Sequence, residues 1–143
     1  MRLQLALNVT DLDRAIDFYS KMFDTTPAKV KPGYANFAIA DPPLKLVLFE
    51  TANDAATDFV HLNHLGVEVE RAEEVTAAEA RLDANGIATT GVADTVCCFA
   101  HKTETWVTSP DDARWEWYVK NGDADQIEHA VVDTADAAPT CCS

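Results

Sequence analysis

The chain of 143 residues has no run of eighteen apolar residues, so no transmembrane helix is expected. Its opening, MRLQLALNVTDLD, reaches an acidic polar stretch too early for a secretory signal peptide, and the expected location is cytoplasmic. Basic residues are scarce. Eleven Lys and Arg stand against 24 Asp and Glu, a formal charge of −13. Nucleic-acid backbones and anionic membranes are therefore excluded as partners. Cysteine is scarce too, with four residues in two adjacent pairs, Cys97-Cys98 and Cys141-Cys142. A reduced compartment and this arrangement exclude a disulfide framework, and such cysteines more often bind metals or react. What the chain does have is 48% apolar and 24% charged residues, the balance of a globular body. Its length suits a single domain whose core needs no covalent staples.

The order of elements repeats. Residues 3–9 alternate as a strand, with Leu3, Leu5, Leu7 and Val9 in one phase and Gln4, Ala6 and Asn8 in the other. Thr10 and Asp13 fit a capping box at the start of a helix carrying Leu12, Ile16, Tyr19 and Phe23. Strands are expected over 29–31, 34–39 and 44–49, separated by Pro32-Gly33 and Asp41-Pro42-Pro43. A polar, alanine-rich linker spans 51–58. A second strand then covers 64–69, a second helix 73–85 with Gly86 as its stop, and three strands follow. The first of these is 87–90 or 95–99; the others are 103–108 and 114–119. Leu5-Ala6-Leu7-Asn8-Val9 and Leu65-Gly66-Val67-Glu68-Val69 share a pattern sixty residues apart, which reads as an internal repeat. The fold class is α+β, with paired βαβββ modules over about 1–50 and 60–120. Residues 121–143 carry five acidic residues and no Lys or Arg, and are expected to form a flexible acidic tail.

Each helix should cover the apolar phase of its sheet. The opposite phases then line concave faces, bearing Gln4, Ala6 and Asn8, then His64, Gly66 and Glu68, then Arg114, Glu116 and Tyr118. Burying such a polar face is costly unless it binds something. One amide, one imidazole and one carboxylate, with open positions left over, suit a non-haem Fe(II) site. From spacing alone, a satisfied histidine and a solvated glutamate between two tryptophans are the ordinary alternatives. On the matching strand of the first module, Leu44, Leu46 and Leu48 stand where the second has polar residues, so no fourth ligand is expected. His61 and His101 read as surface histidines.

The stretches LALNVTDLDRAIDFYSKMF, LNHLGVEVE and PDDARWEWY resemble the opening and closing elements of the vicinal oxygen chelate superfamily of glyoxalases, bleomycin-resistance proteins and extradiol dioxygenases. The resemblance covers about residues 2–120. It implies a fold in which each module curls its sheet into a cup around a divalent metal, the cup closing within one chain or across a homodimer. Its ligand positions fall on Gln4, His64 and Glu116. Gln4 departs from the histidine of the catechol-cleaving branch, and Leu46 from the carboxylate of four-ligand glyoxalases.

Within the superfamily, NFAIADPPLKLVLFE, HLNHLGVEVE and TVCCFAHKTETWVTSPDDARWEWY resemble the organoarsenical carbon–arsenic lyases and the similar cadmium-induced proteins. That resemblance implies an Fe(II)-dependent dioxygenase that cleaves the carbon–arsenic bond of trivalent organoarsenicals, using dioxygen and releasing arsenite. Gln4, His64 and Glu116 would hold iron, and Cys97 and Cys98 the arsenic. Soft arsenic favours thiolate ligands. Two thiols can displace both hydroxyls of R–As(OH)₂ as water and leave the carbon bond in place. Neighbours on a regular strand point to opposite faces, so the strand must end or bend at Cys97-Cys98. Cys141 and Cys142 receive no catalytic role. The rival readings are a non-catalytic cadmium- or metalloid-binding stress protein and another metal-dependent enzyme of the superfamily.

Overall fold

The computed structural model describes residues 1–52 and 59–132. Its elements run β1 (Arg2–Val9), α1 (Leu12–Met22), β2 (Lys29–Lys31), β3 (Tyr34–Ile39), β4 (Leu44–Glu50), β5 (Leu62–Val69), α2 (Ala72–Ala84), β6 (Ala93–Cys97), β7 (Ala100–Thr108), β8 (Arg114–Asp123) and β9 (Ala130–Val131). They form an α+β fold built on the expected repeat, a strand and a helix followed by a three-stranded meander. The chain divides into two compact units, Arg2–Gly66 and a second formed from Val67 onward with Met1. Among the described residues no helix is long and apolar enough to cross a membrane.

In the first unit the strand order is β2-β3-β4-β1-β5. β1 pairs parallel with β4, while β4–β3 and β3–β2 are antiparallel. The opening half of β5 belongs to this unit, although its sequence begins the second repeat. α1 lays Leu12, Ile16 and Tyr19 on Leu5, Leu7, Phe37, Leu46 and Leu48, so the apolar phase of β1 does face the helix. The helix starts one residue later than the Thr10 capping box predicts. Asp11 is the N-cap, and its carboxylate accepts from the Arg14 amide at 3.0 Å. Glu50 accepts from the Leu12 amide at 2.7 Å, so the end of β4 satisfies another free amide of the first turn. This shift places Leu12 in the core and leaves Thr10 exposed.

In the second unit β8-β7-β6-β9 are neighbours, all antiparallel. α2 packs Val75 against Val69, Val119 and Trp117. Glu74 reaches back to the Arg71 amide at 3.0 Å, and Gly86, at φ 72°, follows the helix as expected. Of the two placements for the next strand, the later one is closer. Residues 87–90 contribute only an isolated bridge from Thr89 to Val107. The expected tail is corrected over 121–132. β8 runs on through Asp123, the Cys98 and Phe99 amides donate to the Ile127 and Gln126 carbonyls, and β9 pairs with β6. Main-chain hydrogen bonds hold this stretch, and its acidic composition carries no trace of them. Residues 133–143, with Cys141 and Cys142, lie outside the described residues, as does most of the linker over 51–58.

The cap geometry predicts that Asp11→Ala lowers unfolding free energy by about 1 kcal/mol. Thr10→Ala should leave it nearly unchanged. Urea denaturation of both variants decides between the two caps.

Candidate active site

The polar phase of β1 is the more buried one. Gln4 and Ala6 are inaccessible, while Leu5 and Leu7 are only partly covered. β5 behaves alike, with His64 and Gly66 buried. Register places Lys45, Val47 and Phe49 of β4 beside Gln4, Ala6 and Asn8. Tyr34 and Asn36 of β3 follow on the same face. Gln4 Nε2 lies 3.0 Å from His64 Nε2. The other ring nitrogen, Nδ1, lies 2.8 Å from Asn63 Oδ1. Two of the three expected ligand residues thus meet on a buried polar face opposite the helix.

The comparison at Leu46 needs correction. Leu44, Leu46 and Leu48 belong to the helix-side cluster, so they do not line the Gln4 face. Period-two alternation shifts the comparison by one residue, to Lys45, Val47 and Phe49. None of these offers a carboxylate.

Glu116, the third expected residue, is fully buried in the second unit. Residues opposite one another in antiparallel strands share a face. Thr95 lies opposite Lys102 and Cys97 opposite Ala100; Glu104 lies opposite Tyr118 and Trp106 opposite Glu116. Cys97 and Glu116 therefore stand on one face of this sheet. That face also holds a charge cluster. Lys102 Nζ donates to Glu116 Oε1 at 2.5 Å, lies 3.9 Å from Glu104 Oε2, and sits 4.7 Å from the centre of the Tyr118 ring. Glu104 Oε1 accepts from Trp106 Nε1 at 3.0 Å and lies 3.1 Å from His129 Nε2. The Thr95 hydroxyl is buried on this face and has no hydrogen-bond partner among the described residues. Among the described residues, no three His, Cys, Asp or Glu side chains form a metal-holding group by themselves.

The cysteine pair occupies the tip of the β6–β7 hairpin. Cys97 closes the ladder opposite Ala100, leaving Cys98-Phe99 as a two-residue loop. Both loop residues are left-handed, with φ 56° and 60°. Positive φ at both central positions is the pattern of a type I′ turn, normally built from Asn and Gly. For other residues this region costs about 1–2 kcal/mol each. The turn removes the strand alternation that would separate the thiols. Their Sγ atoms lie 2.8 Å apart, both cysteines are thiols outside any disulfide among the described residues, and both are buried.

Two paired βαβββ repeats with polar faces opposite their helices are the mark of one superfamily, and the match to its family model spans residues 3–117. The chain belongs to the Glyoxalase/Bleomycin resistance protein/Dioxygenase superfamily. It is 56% identical over 129 residues to the "Trivalent organoarsenical cleaving enzyme" of Thermomonospora curvata, covering 90% of this chain and 83% of that one. It is 51% identical to the "Cadmium-induced protein CadI" of Mycobacterium tuberculosis, covering 99% and 92%. The Mn(II)-bound glyoxalase from Novosphingobium aromaticivorans superposes with a TM-score of 0.60 at 16% identity, over 86% of this chain and 40% of that one. At that identity the likeness is one of fold.

Sequence reasoning missed Lys102, Glu104 and His129. The only signal for Lys102 and Glu104 was a Lys-x-Glu alternation on a strand otherwise rich in Thr, and His129 lies in the stretch read as a tail. His61 and His101 are exposed, as expected. Lys102→Met should destabilise the protein by about 3–5 kcal/mol, because it leaves buried carboxylate charge uncompensated. Adding Glu116→Gln should restore part of that loss, and a double-mutant cycle by urea denaturation measures the recovery.

Proposed function

We propose that this chain is an Fe(II)-dependent dioxygenase that cleaves the carbon–arsenic bond of trivalent organoarsenicals and releases inorganic arsenite. The observation that carries the reading is the left-handed Cys98-Phe99 turn, which sets two buried thiols together on the sheet face of Glu116. Strained backbone persists where a site requires it. The relative named as an organoarsenical cleaving enzyme supports the substrate class.

The thiols would bind the substrate. R–As(OH)₂ and two Cys thiols give R–As(S-Cys)₂ and two waters, so the arsenic stays trivalent and its carbon bond intact. Methyl- and arylarsenites both meet this requirement. The Thr95 hydroxyl on the same face, without a partner among the described residues, offers a further contact to a polar ligand. Lys102 would keep the buried Glu116 carboxylate charged and oriented. Reduced thiols suit a cytoplasmic setting.

Gln4, His64 and Glu116 would hold the metal. Their donors fit a divalent first-row ion, with an amide oxygen, an imidazole nitrogen and a carboxylate. His64 Nε2 already faces Gln4, and Gln4 would turn its amide to present oxygen. Bound Fe(II) would supply the activation of dioxygen. The remaining work of the chain is to hold the arsenic by two sulfurs and to keep the face dry.

Two measurements test the reading. Arsenite release from methyl- or phenylarsenite, assayed with Fe(II), should stop when oxygen is excluded; undiminished anaerobic cleavage defeats the dioxygenase assignment. Cys97→Ser with Cys98→Ser should abolish turnover while the fold is retained by circular dichroism. Turnover that survives removes the thiols from substrate binding. The cadmium-induced relatives favour a second reading, metal or metalloid sequestration by the same thiols. Stoichiometric Cd(II) or As(III) binding with no arsenite release would support it instead.

A further inference from the structure

We infer that Asn8 and Asn63 are positioning residues that lock His64 in the Nδ1–H tautomer and leave its Nε2 without a proton on the buried face. The polarity of the chain of hydrogen bonds is set at its far end. The Val60 carbonyl can only accept, so the group 2.8 Å from it must be the Asn8 NH₂. The Asn8 oxygen is then the group facing Asn63, and it accepts from Asn63 Nδ2 at 2.9 Å. That leaves the Asn63 oxygen facing His64 Nδ1 at 2.8 Å, an acceptor that requires a proton on Nδ1. The neutral ring then has no proton on Nε2, which accepts from Gln4 Nε2 at 3.0 Å.

Each link forces the next. Turning the Asn8 amide over would set its oxygen against the Val60 carbonyl and its NH₂ against that of Asn63, and turning the Asn63 amide over would set its oxygen against the Asn8 oxygen. A second main-chain bond, from the Asn8 amide to the His61 carbonyl at 2.7 Å, keeps β1 beside the segment that carries Val60. Asn8 and Asn63 are only half-buried, so the relay lies at the rim of the face, while His64 is inaccessible at its centre.

The consequence concerns ligation. A histidine binds a metal through a bare nitrogen, and the partner of the other nitrogen decides which one is bare. Here the unprotonated nitrogen is the one that accepts from Gln4. This use of the relay rests on the donor set proposed above; the tautomer itself does not.

The test uses the metal-free full-length chain labelled with ¹⁵N-histidine, at mildly alkaline pH. Long-range ¹H–¹⁵N correlation should show His64 with its proton on Nδ1. Asn63→Leu should mix the two tautomers or reverse them, and Asn8→Ala should weaken the preference. Asn63→Asp, which still accepts from Nδ1, should retain it. Fe(II) or Co(II) affinity should fall about 10–100-fold in Asn63→Leu and recover in Asn63→Asp. An Nε2–H ring in the parent protein, or an unchanged tautomer in both Asn63→Leu and Asn8→Ala, overturns the proposal. If the tautomers respond as expected and the parent protein binds neither metal, the relay stands and the donor set fails. A misfolded Asn63→Leu leaves the decision to Asn8→Ala.

Discussion

In each unit the β-strands bury two faces of opposite character, and most of the structure follows from that constraint. One face is apolar and takes a helix. The other carries Gln4 and His64 in the first unit, and Lys102, Glu104 and Glu116 in the second. Leaving such groups in the interior is affordable only when their hydrogen bonds and charges are answered. The answers are specific, with Asn63 for His64, Lys102 for Glu116, and Trp106 and His129 for Glu104. Under the proposed function, this preorganised polar face is the surface that binds metal and substrate.

The hairpin tip also departs from the residues that its geometry favours. A type I′ turn made of Asn and Gly would close β6 and β7 with less strain. Cys and Phe stand there instead, and the strap over 124–132 answers their amides through the Gln126 and Ile127 carbonyls. Main-chain bonds from a distant segment thus hold a turn that its own residues disfavour. The two thiols meet because the strand ends between them.

Much of the fold was legible. The sixty-residue repeat, both helices and the alternation of β1, β5 and β8 all followed from apolar periodicity, because burial on one face of a strand or helix leaves that period in the residues. The burial of Gln4, His64 and Glu116 was legible in the same way, as the off-phase of otherwise apolar strands. Other features left no such mark. The cap moved from Thr10 to Asp11 because Glu50, distant in sequence, supplies a second acceptor to the first turn. The phase of β4 was misjudged because Lys45, Val47 and Phe49 alternate with leucines, and both phases look apolar. The order of residues 121–132 rests on main-chain bonds that composition does not encode.

The sequence by itself determined which residues are available: an amide and an imidazole sixty positions apart, a carboxylate between tryptophans, and an adjacent pair of thiols. For the amide, the imidazole and the carboxylate it also determined the face, since period-two alternation is local. Tertiary structure decided what those groups do to one another. It paired Gln4 with His64 and gave His64 a partner whose orientation is dictated by the carbonyl of Val60. It set Lys102 against Glu116 and turned the chain at Cys98 so that neighbouring sulfurs face together. The physical reason is that hydrogen-bond polarity and buried charge are settled by contacts across strands, and those contacts have no period in the sequence.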